Sequence, residues 1–217
     1  MTKLARYLEH TLLKPEATVD DIINLCTEAK EHSLGGVCVN PCYVALARHL
    51  LAGTGVKVVT VAGFPLGATF AEVKELEARM AAENHADEID MVMNLAAFKT
   101  GDYQAVEAEI RRVVAAGAPC AVKVIIEACL LSDEEKIKAC RLIIAAGAKF
   151  VKTSTGFAKS GATASDVRLL KKECAGTGVG VKAAGGIRDA AAVREMLEAG
   201  ADRIGTSAGA RIAMEDV

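Results

Sequence analysis

Lys152 and Lys182 each come at the end of an apolar run, "AKFVK" and "VGVK", and small, polar and glycine residues follow, "TSTG" and "AAGG". A charge at the inner end of a buried strand is costly unless it is paired or given up. If the runs are neighbouring parallel strands, two inward ammonium groups about 5 Å apart repel by roughly 3 kcal/mol at an effective dielectric near 20. That corresponds to about two pKa units, and partial burial acts in the same direction. One amine then approaches neutrality near physiological pH. A neutral amine attacks carbonyl carbon and an ammonium does not. The pattern points to imine chemistry; the competing reading is that both lysines bind an anion as cations.

Imine catalysis also needs a group that moves protons at carbon and at the departing hydroxyl. Asp90 is flanked by Ile89, Met91 and Val92, so it is expected to be buried or to face a barrel interior. A structural salt bridge to Lys123 or Lys182 is the alternative. Asp87 and Glu88 precede it and are expected to be solvated at the strand entrance. Lys57 begins its strand in "GVKVVTVAG" and reads as structural. Lys123 lies early in "AVKVIIEAC" and shares strand parity with Ile125 and Glu127. It reads equally as a supporting ion-pair partner or as a purely structural group.

Two late turns are rich in glycine. "AAGGIRD" contains Gly185 and Gly186, and "RIGTSAGARI" contains Gly205, Thr206 and Ser207. Glycines let backbone N–H groups approach a phosphate, and Ser207 adds a hydroxyl donor. Gly156 offers a further amide. Arg188 is either a counter-charge or an exposed residue at a helix start.

These groups need a scaffold that brings them to one end. Short β-branched runs predict strands near 9–12, 35–39, 56–62, 87–93, 121–126, 148–152, 179–183 and 202–205, with helices between them. "TFAEVKELEARMAAEN" has apolar residues at helical spacing. "SDEEKIKACRLIIAAG" opens with a capping box from Ser132 to Glu135, and "TASDVRLLKKECAG" opens similarly from Thr163 to Asp166. "VVAAGAPCAVKVII", "IIAAGAKFVKTS" and "MLEAGADRIGTS" form a weak repeat, in which the glycine suits a left-handed helix cap. Strands alternating with helices through about 200 residues predict an α/β fold, a single-domain (β/α)8 TIM barrel spanning residues 1–217. A doubly wound sheet is the rival. The glycines of "GTGVGVK" precede a strand, however, and lack the G-x-G-x-x-G spacing.

Composition narrows the class. The formal net charge is −2 and no basic stripe is present, which argues against nucleic-acid binding. An anionic substrate then needs a local positive pocket. No apolar run reaches about 18 residues, so no transmembrane helix is expected. The charged N-terminal stretch lacks a signal-peptide core. The seven cysteines are odd in number with no C-x-x-C, and read as small buried residues in a reducing compartment. A cytoplasmic protein is expected. The four scattered histidines give little support to a metal site.

Long ordered motifs then become recognisable: "HTLLKPEAT", "GGVCVNP", "VTVAGFPLGAT", "ADEIDMVMN", "VKVIIE", "FVKTSTGF", "VGVKAAGGIRD" and "RIGTSAGARI". Over nearly its whole length the chain resembles the deoxyribose-phosphate aldolase family of class I, imine-forming aldolases. The resemblance implies a TIM barrel that reversibly cleaves 2-deoxy-D-ribose 5-phosphate to glyceraldehyde 3-phosphate and acetaldehyde. It implies Lys152 as the imine-forming lysine, Lys182 as the lysine that lowers its pKa, and Asp90 as the carboxylate of a proton relay with water. It places Gly156, Gly185, Gly186 and Ser207 at phosphate-loop positions, and Thr11 and Lys123 among residues lining the site. It implies no metal and no organic cofactor, and a homodimer or homotetramer. Three departures stand out. Glu9 replaces a frequent Asp, a change expected to be minor. Ala184 replaces a frequent Ser. The sequence ends at "IAMEDV", where members often carry a longer tail ending in Tyr; if such a tail assists proton transfer, the expectation is either transfer through Asp90 and water alone or lower turnover. Another imine-forming aldolase or a transaldolase is the second reading, and a non-catalytic phosphate-binding barrel the third.

Overall fold

The computed structural model describes residues 4–216. The strands are β1 (Leu8–Leu12), β2 (Gly36–Val39), β3 (Lys57–Ala62), β4 (Glu88–Val92), β5 (Ala121–Ile125), β6 (Phe150–Lys152), β7 (Gly180–Ala184) and β8 (Arg203–Thr206). All pair in parallel in chain order, and β8 pairs with β1 to close the barrel. Each expected strand lies within two residues of an observed one. The helices are α1 (Val19–Glu31), α2 (Val44–Leu50), α3 (Ala71–Glu83), α4 (Leu95–Lys99), α5 (Tyr103–Ala116), α6 (Asp133–Ala145), α7 (Ala164–Glu173), α8 (Ala190–Glu198) and α9 (Gly209–Glu215). Among the described residues no helix is long and apolar enough to cross a membrane.

Local chemistry explains the helix starts. Ser132 Oγ accepts the Glu135 amide at 3.3 Å, and Glu135 Oε2 accepts the Ser132 amide at 2.8 Å, which closes the expected capping box on α6. Thr163 caps α7 by accepting the Asp166 amide at 3.1 Å. The repeat glycines differ from expectation at one place. Gly147 and Gly200 have φ of 84° and 108°, but Gly117 is right-handed, at −81°. Gly117 is required for space instead: a Cβ there would lie 2.9 Å from Ile89 Cδ1 and 3.1 Å from the Val113 carbonyl.

The main apolar core lies between barrel and helices, with Ile89, Met91, Val122, Val124 and Val151 pointing outward from their strands. The barrel interior is divided. Leu13, Cys38, Val59 and Val61 form a small apolar cluster on one side. The other side carries charges. Helix α3 turns its large apolar residues outward: Val73, Leu76 and Met80 are exposed, whereas Lys74, Ala78 and Ala81 face inward. Lys74 is buried because Glu109 of α5 pairs with it at 2.8 Å.

Candidate active site

Strand parity and register assemble the cluster. Asp90 on β4 stands opposite Lys123 on β5, and Lys152 on β6 opposite Lys182 on β7. Because i and i+2 share a face, all four point into the barrel. Asp90 Oδ1 accepts from Lys123 Nζ at 2.9 Å. Its Oδ2 accepts from Lys152 Nζ at 2.8 Å and from Lys182 Nζ at 2.5 Å. One carboxylate thus collects three ammonium groups, and all four side chains are buried.

Glu9 of β1 changes the expected picture. It takes a second bond from Lys182, and its other oxygen lies 3.5 Å from Lys123. Glu9 thus supplies a carboxylate of the cluster itself. Glu88 is likewise buried rather than solvated. It shares β4 parity with Asp90 and sits one layer lower, with Oε2 2.6 Å from Lys123 Nζ. Lys57 donates to its Oε1 from the barrel's N-terminal mouth. Asp87 is half exposed and accepts the Val58 amide at 2.7 Å. Three carboxylates therefore balance three lysines inside the barrel.

The pKa directions follow from how many carboxylates each lysine meets. Burial acts first on Lys152 and pushes its amine below the ordinary lysine value; Asp90 pulls it back up and Lys182 pushes it down again. Like-charge repulsion is therefore real but smaller than burial, contrary to the weight given it by the sequence. Burial is also the largest single effect on Lys182, but Asp90 and Glu9 together overcome it and raise its pKa. Lys123 is raised for the same reason, burial being outweighed by Asp90, Glu9 and Glu88. Asp90 is held well below the usual carboxylate range because the three lysines outweigh its burial.

Of these three lysines, Lys152 alone lines a cavity of about 280 Å³ at the C-terminal mouth. Thr11, Gly156, Gly185, Gly186, Gly205 and Ser207 line it too, with Arg188. Gly156, Gly185 and Gly186 have φ of 87°, 87° and 79°, a region that favours glycine. One expectation needs correction: Lys123 lies beneath the cavity, fully buried, and does not line it. Gly205 lines the cavity from strand β8, and its lack of a side chain also makes room for Lys182: a Cβ there would come within 3.1 Å of Lys182 Cε.

Glu127 was expected to share a strand face with Lys123. It instead follows β5 with φ of 47° and binds the next loop. Its Oε2 accepts from Thr155 Oγ1 at 2.5 Å and its Oε1 from the Thr155 amide at 3.2 Å. This holds the turn that carries Gly156. Sequence reasoning missed Glu9 in the cluster and Glu127 at the turn. The alternation Leu8-Glu9-His10-Thr11 was the available signal for Glu9, since it puts Glu9 and Thr11 on one face.

A parallel eight-stranded barrel with a buried lysine–carboxylate cluster under an open, glycine-lined mouth defines a barrel enzyme suited to carbonyl chemistry. Residues 6–213 match the family described as DeoC/LacD family aldolase. The deoxyribose-phosphate aldolase of Streptococcus uberis is 56% identical over 210 residues, 97% of this chain and 95% of the relative. That of Aciduliprofundum boonei is 58% identical over 207 residues, 94% of this chain and 93% of the relative. Among solved structures, the aldolase QR15 superposes with a TM-score of 0.95 at 43% identity, covering 99% of this chain and 96% of that one. The tetrameric deoxyribose phosphate aldolase of Aeropyrum pernix gives 0.88 at 36% identity, covering 98% and 90%. The chain belongs to the DeoC/LacD aldolase family, and it is a lyase.

Proposed function

We propose that this enzyme cleaves 2-deoxy-D-ribose 5-phosphate reversibly to D-glyceraldehyde 3-phosphate and acetaldehyde, through an imine on Lys152. One observation carries the assignment of the nucleophile. Lys152 is the lysine of the cluster that both reaches Asp90 and opens to the cavity, and it is the one whose amine is pushed toward neutrality. The substrate assignment rests on the relatives' names and on the glycine turns of the mouth.

In the cleavage direction the Lys152 amine attacks the aldehyde carbon of the open-chain sugar, and water departs to leave an iminium. The iminium draws electrons from the bond between the second and third carbons. That bond breaks when the hydroxyl on the third carbon gives up its proton. Asp90, held ionised by its three lysines, is the acceptor through a bridging water. The enamine takes a proton at carbon and is hydrolysed to acetaldehyde. Meanwhile the turns at Gly156, Gly185–Gly186 and Ser207 hold the phosphate at the other side of the cavity and restrict the reacting geometry.

Borohydride reduction in the presence of acetaldehyde, followed by peptide mapping, tests nucleophile and donor together. A two-carbon adduct is expected on Lys152. An adduct on another lysine overturns the assignment, and a ketone that is trapped where acetaldehyde is not favours a ketose-type aldolase.

Lys182 gives a second test, in its charge. Lys182→Leu removes a cation beside Lys152 and leaves Asp90 less neutralised. Both changes stabilise the protonated Lys152 amine, so its pKa rises. The acid limb of the rate profile should move up by about one pH unit. A limb that stays in place removes the tuning role.

A further inference from the structure

The buried charges do not stop at the reacting lysine. They run down one side of the barrel in alternating sign to the opposite mouth. Asp90 meets Lys123 at 2.9 Å, Lys123 meets Glu88 at 2.6 Å, and Glu88 accepts from Lys57. Lys57 is the first residue of β3, and together with Arg203 of β8 it lines a cleft of about 430 Å³ at the N-terminal mouth. An ion pair at a barrel's N-terminal end ordinarily contributes stability and nothing else. This one is linked to the chemistry by a single side chain.

We propose that Glu88, clamped between Lys57 and Lys123, is a positioning residue for the reaction: it fixes Lys123 beneath Asp90 and so aims the other oxygen of Asp90 at Lys152. Lys123 is fully buried, and its partners are Asp90, Glu88 and, at 3.5 Å, Glu9. Without Glu88 its ammonium is drawn toward Glu9 and the Lys182 side of the barrel, and Asp90 Oδ1 loses its fixed donor. Burial opposes the charge on Glu88, but Lys123 and Lys57 outweigh it and hold its carboxyl at about 2, so it stays anionic at every working pH.

The proposal rests on Lys152 as the reacting amine, and it predicts shifts of opposite sign from the two halves of one ion pair. The charged groups around the Lys152 amine are Asp90 on β4, Lys182 on β7, Lys123 on β5 and Glu9 on β1. Cys38 on β2 is the remaining titratable neighbour; burial pushes its thiol up to about 11, so it stays neutral below that. Glu88 faces Lys123 and Lys57, and Glu9 faces Arg203 at 4.0 Å. Glu88→Gln deletes a negative charge from this set and favours the neutral Lys152 amine. Lys57→Met deletes a positive one and favours the ammonium. The acid limb should therefore move down by about half a pH unit in Glu88→Gln and up by a similar amount in Lys57→Met. In Glu88→Gln the kcat should also fall by about tenfold as Asp90 loses its aim. KM should stay within about twofold in both, because neither side chain lines the substrate cavity.

The experiment is the pH dependence of kcat and KM for both variants, with acetaldehyde–borohydride mapping on each. Opposite limb shifts with KM held support the proposal. Limbs that stay put, or that move in the same direction, overturn it and leave the pair a purely structural one. If Glu88→Gln fails to fold, Glu88→Asp takes its place: the charge stays while the shorter side chain gives up the 2.6 Å contact with Lys123, so kcat should fall by about tenfold, and a kcat at the parent level overturns the proposal. An adduct away from Lys152 refutes the nucleophile, whereas an adduct on Lys152 with unmoved limbs refutes the positioning role only.

Discussion

Lys152→Ala is expected to lower kcat by on the order of 10⁴-fold or more while the barrel stays folded. The size follows from the proposed imine chemistry. Without an amine there is no covalent electron sink, and what remains is binding and orientation. Retention of the fold follows from the charge balance. Asp90 keeps Lys123 and Lys182 when Lys152 is removed, so no buried carboxylate is stranded. The lost side chain bordered an open cavity, so water can fill the space it leaves. Steady-state turnover of deoxyribose phosphate and a thermal melt check the two halves separately. Turnover within tenfold of the parent would refute the imine mechanism. A large drop in melting temperature would show instead that Lys152 is structural.

The sequence made the positions of these groups legible and their weights not. Lys152 and Lys182 could be placed because each ends or nearly ends an apolar run, and adjacency followed from chain order in a parallel barrel. The observed register sets the two directly opposite. Glu88 could not be read from its neighbours. It stands beside Asp87 in an acidic pair, and that looks solvated until β4 parity turns one carboxylate in and the other out. Helix α3 misled in a related way: the apolar spacing was visible, but its direction was not, and Val73, Leu76 and Met80 face outward. Periodicity tells which residues share a face, while the partner across the gap decides which face is buried. The distribution of charge was likewise invisible. Like-charge repulsion between two lysines is a pairwise argument from sequence, whereas the structure shows six interior charges that nearly cancel. What then separates Lys152 is that it has one carboxylate where Lys182 and Lys123 have more.

Asp90→Asn separates the proposed duty of the carboxylate as proton acceptor from its place as counter-ion to three lysines. As an acceptor its loss should lower kcat by about 10²- to 10⁴-fold. As a counter-ion its loss leaves three buried ammonium groups facing an uncharged amide, and breaking a buried pair of this kind costs roughly 3–5 kcal/mol. Lys152 relieves part of that cost by giving up its proton, since its amine is already the one that burial pushes down. The proposed nucleophile is therefore expected to survive. Borohydride should still trap acetaldehyde on Lys152 in the variant, over longer incubation, while turnover of the sugar phosphate is lost. Acid stability supplies an independent reading of the sign. Asp90 and Glu88 both titrate below their unfolded values because lysines outweigh their burial. The stability they add is complete above about pH 5 and is lost as pH falls through their folded values, about 2 for Glu88. Asp90→Asn should flatten that acid slope. Parent-like turnover in Asp90→Asn removes Asp90 from the proton path. Loss of trapping together with turnover, in a folded variant, shows instead that Asp90 serves to hold Lys152 in place.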